Sequence, residues 1–285
     1  MVVKDYKITL SKGEKSWFAT DGKELRGSIE KGSKRGVAIV QVVRHENREV
    51  VGQTFYNGKK ESEVPTVKKL LAESGVEKQK VSMDALHLKP DTLEGINKVG
   101  GKYLVGLKGN QKELYEDMEH CPKYLNIHSE LQEYEKGHGR LEERHYFSYD
   151  VSGEYFDPRW EVVNFQSLIK VYRKREIVKT GKLTEETSYY LSNIETKNVE
   201  NKQELFRAVR NHWQVEVNNN IRDVILQEDK LCAKNTKTSK TISCCRSLVV
   251  SILEQRKFKN RNQQLDYFSD NYEECLEWLK SIGFL

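Results

Sequence analysis

"KVSMDALHL", residues 80–88, alternates apolar and polar residues as far as Met83 and then turns acidic. Val81 and Met83 suit a strand with one face buried. Asp84 does not, because strands disfavour Asp. A carboxylate ending a buried strand has two readings. It can open a turn, with Pro90 just beyond it starting a helix. Or it can stand at the strand end to meet other carboxylates, which requires them to converge on the same point.

Upstream, "SWFATDG" reads as a short strand ending at Asp21 and Gly22. "GVAIVQVVR" and "EVVGQTFYN" are two more, joined by the short polar "HENR" and so expected to pair antiparallel. "SEVPTVKKLLAESG" predicts a helix, with Pro65 in its first turn and Gly75 at its stop. Downstream, "PDTLEGINKVGG" predicts a short helix and "KYLVGLKGN" a further strand. The order up to residue 110 is three strands, helix, strand, helix, strand. That alternation predicts an α/β fold with a parallel portion of sheet after an antiparallel start. Functional groups in such sheets gather beyond the strand ends.

The rest of the chain reads differently. "RLEERHYFSYDV", "RWEVVNFQSLIKVYRK" and "ETSYYLSNI" are rich in aromatic and β-branched residues, and predict a mainly β segment over 130–195. A long helix is expected from near Lys202 past Arg222, another over 238–257, and a last one in "NYEECLEWLKSI". The division that follows is 1–110 as the first part of the core, 111–195 as a β-rich insertion, and 196–285 as the helices that complete the core.

At 285 residues the chain can bury a sizeable core. Charged residues make up 32%, no apolar run approaches a membrane span, and the N-terminus has no apolar signal-like stretch. The net charge of +5 permits nucleic acid as a partner. Cys121, Cys232, Cys244, Cys245 and Cys275 are odd in number and contain no CxxC, so free thiols in a reducing cytoplasm are expected.

The expected long helix carries Glu216. On a wheel of about 100° per residue, His212, Asn219, Asn220 and Asp223 fall within about 60° of it. Phe206, Trp213, Val217 and Val224 form a separate apolar stripe, which places Trp213 in the core. Exposed helix faces are usually filled with Lys and Glu. This one carries Asn and His beside its carboxylates, with no Lys from 203 to 229, which favours a site over a merely solvated face. If the strands ending at Asp21 and Asp84 are neighbours, a helix packed on the sheet can bring Glu216 to them. Three such carboxylates repel one another, and a divalent cation removes that penalty.

"TDGKELRGS", "VSMDALH", "GGKYLVGLKGNQKELYEDM", "GHGRLEER", "YYLSNI" and "VRNHWQVE…RDVILQED" occur in this order. Together they resemble the DDE transposases of H-repeat-associated insertion sequences, the family linked to Rhs elements. The resemblance covers roughly residues 15–255. It implies a ribonuclease H-like mixed sheet flanked by helices, with a β-rich insertion before the last catalytic helix. It implies Mg²⁺-dependent DNA cleavage and strand transfer, with Mn²⁺ substituting, by Asp21, Asp84 and Glu216 as catalytic metal ligands.

Lys108, Asn110 and Gln111 after a strand, and His138, Arg140 and Arg144 in "GHGRLEER", are candidate DNA contacts, each with an ordinary polar loop or charged hairpin as the alternative. Asp223, Glu228 and Asp229 match family positions without an assigned role. The implied partners are double-stranded DNA and a second copy of the chain on it, in the cytoplasm at the nucleoid. Relatives carry a helical region ahead of the first strand where this sequence has twenty residues before Asp21, so an N-terminally truncated form is expected. The sequence also appears one residue short between Glu216 and "RDV". A metal nuclease without strand transfer and a silent DNA-binding remnant stay open as alternatives.

Overall fold

The structure, a computed structural model, describes residues 6–7, 15–29, 31–32, 34–56, 60–231, 235–256, 258 and 260–283. Strands β1 (Tyr6–Lys7), β2 (Trp17–Glu24), β3 (Ala38–Arg44) and β4 (Val50–Tyr56) precede helix α1 (Lys60–Ser74). Then come β5 (Lys80–Met83), α2 (Pro90–Lys98), β6 (Lys102–Leu107) and α3 (Lys112–His120). Strands β7 (Ser129–Gly137), β8 (Arg140–Asp150), β9 (Ser167–Ile177) and β10 (Lys182–Ser192) follow. Helices α4 (Val199–Asn211), α5 (Gln214–Asn220), α6 (Thr236–Glu254), α7 (Arg261–Asp270) and α8 (Tyr272–Ser281) complete the chain.

All the strands share one sheet, in the order β1-β4-β3-β2-β5-β6-β10-β9-β8-β7. Only β2–β5 and β5–β6 pair in parallel, and the other pairs are antiparallel. This mixed α/β sheet is consistent with the ribonuclease H-like core that the motifs imply. The four later strands continue the sheet through the antiparallel pairing of β10 with β6. The hairpin joining β7 to β8 turns on His138 and Gly139, both at positive φ (51° and 70°). That is the primed two-residue turn whose twist matches the strands it joins. Outermost β7 is exposed along all but its first residue.

Alternation along the central strands divides the two faces. Phe18, Val81 and Met83 enter a core with Val67, Leu70 and Leu71 of α1 and Leu93 and Ile96 of α2. Trp17 and Ala19, on the other face, meet Leu205 and Phe206 of α4 and Val215 of α5. On that second face α6 packs on β3 and β4 with serines at four-residue spacing. Ser247 accepts from Gln41 at 2.8 Å, Ser243 from Gln53 at 3.4 Å, and Ser251 from the Val50 amide at 3.0 Å.

Several expectations need correction. The first strand does not stop at Asp21 but runs to Glu24, because β3 pairs with it beyond the point where β5 leaves. Helix α1 begins at Lys60, so Pro65 lies inside it rather than in its first turn. Residues 112–120, expected in the β-rich segment, are helical, with Leu114 and Met118 buried one turn apart. The expected long helix is interrupted at His212–Trp213 and widens into a π-helical turn at Ile221–Ile225. These two irregularities shift the helical phase. The buried positions become Val215, Asn218, Ile221 and Arg222, and Trp213 is 53% exposed rather than in the core. Cys121, Cys245 and Cys275 are free thiols, Cys244 is buried on α6, and Cys232 lies outside the described residues.

Candidate functional site

Register brings the first two carboxylates together. Trp17 to Thr20 of β2 pair in parallel with Lys80 to Met83 of β5, so Asp21 and Asp84 each follow the last paired residue. Side-chain alternation puts Trp17, Ala19 and Asp21 on the same face as Ser82 and Asp84, the face covered by α4 and α5. Asp84 also begins a turn, accepting from the Leu86 amide at 3.0 Å, so both readings of this carboxylate hold geometrically.

Helix α5 reaches the same place. Asn219 Nδ2 donates to Asp21 Oδ2 at 3.2 Å. Glu216, one turn earlier, is exposed. Partial desolvation by the surrounding wall lifts its carboxyl above the usual range even so, while Lys108 pulls it down. Burial, then Asp84 and Glu63, push the Asp21 carboxyl up to about 7, with Glu216 adding a smaller push.

Glu63, a buried residue of α1, escaped the sequence reading. It comes from the opposite layer of the fold and accepts from Tyr56 Oη at 2.7 Å. Its carboxylate occupies the space a side chain at Gly22 would need: a Cβ there would lie 2.5 Å from Glu63 Cδ. The missing side chain lets a fourth carboxylate stand beside Asp21. His87, 1% exposed, sits with Nε2 3.5 Å from Glu63 Oε1 and 3.7 Å from Asp84 Oδ1, without a hydrogen-bond partner among the described residues. An ordinary first-turn glutamate carries no sequence signal of such a role.

A second polar chain runs under the carboxylates. His45 Nε2 lies 2.8 Å from Ser82 Oγ, which lies 2.9 Å from His212 Nδ1. The His45 ring stacks on Trp17. Burial pulls His45 down to about 3 and His212 to about 4.

The other candidates separate. Lys108 is exposed in the turn after β6, within electrostatic reach of Glu216 and His212. Asn110 donates to the Ala85 carbonyl at 2.7 Å and Gln111 to the Leu88 carbonyl at 3.1 Å, so both brace the turn that holds Asp84. His138 and Arg140 lie at the β7–β8 hairpin tip, exposed. Arg144 is held by Glu135 at 2.9 Å and by Glu142. Asp223, Glu228 and Asp229 gather around Lys23, and Glu228 also pairs with buried Arg222 at 2.5 Å.

Among the described residues no three His, Cys, Asp or Glu side chains close tightly enough to form a ready metal cage. The donor set still suits a hard divalent cation, since carboxylates crowd here at an electrostatic cost that such an ion relieves. No helix among those residues is long and apolar enough to cross a membrane.

Comparison with known proteins gives concordant matches. The family described as "Transposase DDE domain" matches residues 11–243. "Putative protein YbfL" of Escherichia coli (strain K12) is 31% identical over 255 residues, 87% of this chain and 66% of the relative. "H repeat-associated putative transposase YhhI" of the same strain is 30% identical over the same shares. "Putative transposase YncI" of Escherichia coli O157:H7 is 27% identical over 282 residues, 94% of this chain and 70% of the relative. The chain thus spans about two thirds of the length of the first two of these relatives.

Proposed function

The chain belongs to the transposase DDE domain family, and from that premise we propose that it cleaves and joins DNA at insertion-sequence ends through Asp21, Asp84 and Glu216. What supports the reading most is one arrangement. Asp21 and Asp84 follow the paired ends of adjacent parallel strands, and the helix bearing Glu216 is bonded to Asp21 through Asn219.

In this reading Asp21, Asp84 and Glu216 would hold Mg²⁺ or Mn²⁺. When bound, such ions supply Lewis-acid stabilisation of the attacking and leaving oxygens at phosphorus. The chain's own residues do the positioning. Asn219 fixes the Asp21 carboxylate, and Asn110 and Gln111 brace the turn that carries Asp84. Exposed Lys108 supplies a cation for a DNA phosphate beside Glu216. Arg140 and His138 at the hairpin tip give the duplex a more distant contact. Residues 111–195 act as an insertion between the two parts of the catalytic core. Double-stranded DNA is the substrate, and a homodimer pairing two ends is the assembly that strand transfer calls for.

The test is nicking of supercoiled DNA with Mg²⁺ or Mn²⁺ by wild type and Glu216→Gln. Glutamine keeps size and hydrogen bonding but loses the charge a metal ligand needs. Loss by orders of magnitude in a folded, DNA-binding variant supports the reading, and equal nicking removes Glu216 from it. Joining of pre-cut ends separates a transposase from a metal nuclease. A wild type that never cleaves leaves the silent DNA-binding remnant.

A further inference from the structure

His212 lies one turn before Glu216, yet its ring is tied to the sheet rather than to its own helix. Nδ1 is 2.9 Å from Ser82 Oγ, and Ser82 Oγ is 2.8 Å from His45 Nε2. Ser82 and His45 are 1% and 4% exposed, so water does not compete for these bonds. The Phe18 carbonyl, 3.3 Å from Ser82 Oγ, is a longer alternative acceptor for the single hydroxyl proton.

The polarity of the chain follows from its two ends. Ser82 lies two residues before Asp84 on the same face, and His212 feels the charge of Asp84 first, with His87 and Lys108 opposing it. With Nδ1 turned to Ser82, Nε2 lies on the far edge of the ring, where the Asp84 carboxylate, the charge felt most, favours an N–H over a lone pair. Nε2 therefore carries the proton and Nδ1 accepts from the Ser82 hydroxyl. Ser82 Oγ in turn accepts from His45 Nε2–H. Burial favours the neutral form of both rings, which leaves each one N–H and one lone pair.

We propose that His212 is a hydrogen-bond donor of the site, locked as its Nε2–H tautomer by the His45–Ser82 pair and aimed at a phosphate oxygen of bound DNA. The inference rests on the reading of Asp21, Asp84 and Glu216 given above. It adds a neutral donor to the carboxylates and Lys108, with Ser82 and His45 as positioning residues. No proton moves in this role: the donor is oriented beforehand, at no reorganisation cost when the phosphate arrives.

Ring ¹⁵N NMR of the 285-residue chain, with its seven histidines, reads the tautomer directly. His212 is assigned by loss of its signal in His212→Asn. The expected result is one neutral Nε2–H tautomer, whose Nε2–H resonance shifts when a short duplex oligonucleotide is added. Ser82→Ala should leave mixed tautomers and lower the nicking rate roughly tenfold, with DNA affinity little changed. His212→Gln, whose amide nitrogen can take the Nε2 place, should keep more activity than His212→Asn, which is expected to lose on the order of a hundredfold. A wild-type Nδ1–H tautomer, a resonance indifferent to DNA, or equal nicking by Ser82→Ala overturns the proposal. If Ser82→Ala does not fold, the wild-type tautomer and the Gln–Asn pair still decide. If wild type never nicks, the reading of the carboxylates fails separately, and the DNA-induced shift at His212 alone decides this inference.

Discussion

The carboxylate of Glu63 rests against the backbone of Gly22, so close that a β-carbon at position 22 would fall 2.5 Å from Glu63 Cδ. The two residues come from different layers, β2 of the sheet and α1 packed on it. One is a loss of side chain next to Asp21, the other a carboxylate on α1 that fills the gap.

Gly22→Ala is therefore expected to push the Glu63 carboxyl aside and, because that is the far end of a flexible side chain, to cost only about 1 kcal/mol, the low end of the range for added volume. The clash is the cause, since an extended strand accepts alanine readily. Gly22→Ala combined with Glu63→Ala should recover most of the loss. Thermal melts of the two singles and the double close the cycle, and simple additivity would rule the contact out as the source.

Asp21 gives the metal-free protein a characteristic pH response. Its carboxyl moves from an ordinary 3.8 to about 7 on folding, through burial first and then Asp84 and Glu63. The folded chain keeps a proton that the unfolded chain releases. Stability from this group is thus full below pH 4 and lost as pH rises through about 7. The melting temperature of wild type should fall over that interval relative to Asp21→Asn. If the two curves run parallel, Asp21 is not the group responsible.

Divalent cations should act in the opposite direction. Mg²⁺ or Mn²⁺ binding the folded state raises the melting temperature by mass action. The gain should grow as pH passes about 7, where Asp21 gives up its proton. Asp21→Asn and Asp84→Asn should each remove it, and Asp223→Asn should not, because Asp223 is engaged by Lys23. A gain that survives both substitutions places the cation elsewhere.

Lys108 and Arg144 should separate binding from folding. Lys108→Ala is expected to weaken duplex binding about equally across sequences and to reduce the salt slope by about 1. Arg144→Ala should act on stability rather than binding, and modestly, since Glu135 keeps Arg210 and Glu142 keeps Arg175. Affinity titrations over a salt series, set beside melts, distinguish the two outcomes.

Lys23 should contribute measurably to stability. It is 11% exposed and faces Asp223, Glu228 and Asp229. Lys23→Met leaves Asp223 without its cation, while Glu228 keeps Arg222 and Asp229 keeps Arg26, and should cost about 1–3 kcal/mol. Denaturant melts read this, and a loss below 1 kcal/mol would mean solvent already compensates these charges.

The parts of the fold that repeat a local period were legible in the sequence. Val81 and Met83 announced β5, and the polar stripe of His212, Glu216, Asn219 and Asp223 set that helix apart from an ordinary solvated one; in the structure Asn219 reaches Asp21. What escaped depends on contacts distant in sequence or on breaks in the period. Glu63 looks like any first-turn glutamate until Gly22 is placed beside it. Ser82 and His45 are 37 residues apart and form a chain only through the sheet. Trp213 was misplaced because the wheel assumes an unbroken helix, and the backbone tightens at His212 and widens again at Ile221–Ile225.

Strand β7 has a consequence for how copies of this chain meet. It closes one side of the sheet with its outer N–H and C=O groups unpaired, the kind of border onto which a foreign strand can add. Its sequence, SELQEYEKG, sets Glu130, Glu133, Glu135 and Lys136 along that border. An incoming identical strand would bring like charges alongside and strip their water. The border is thereby closed to amyloid-like stacking while its backbone remains accessible, and neutralising those glutamates should turn a discrete particle into one that polymerises edge to edge.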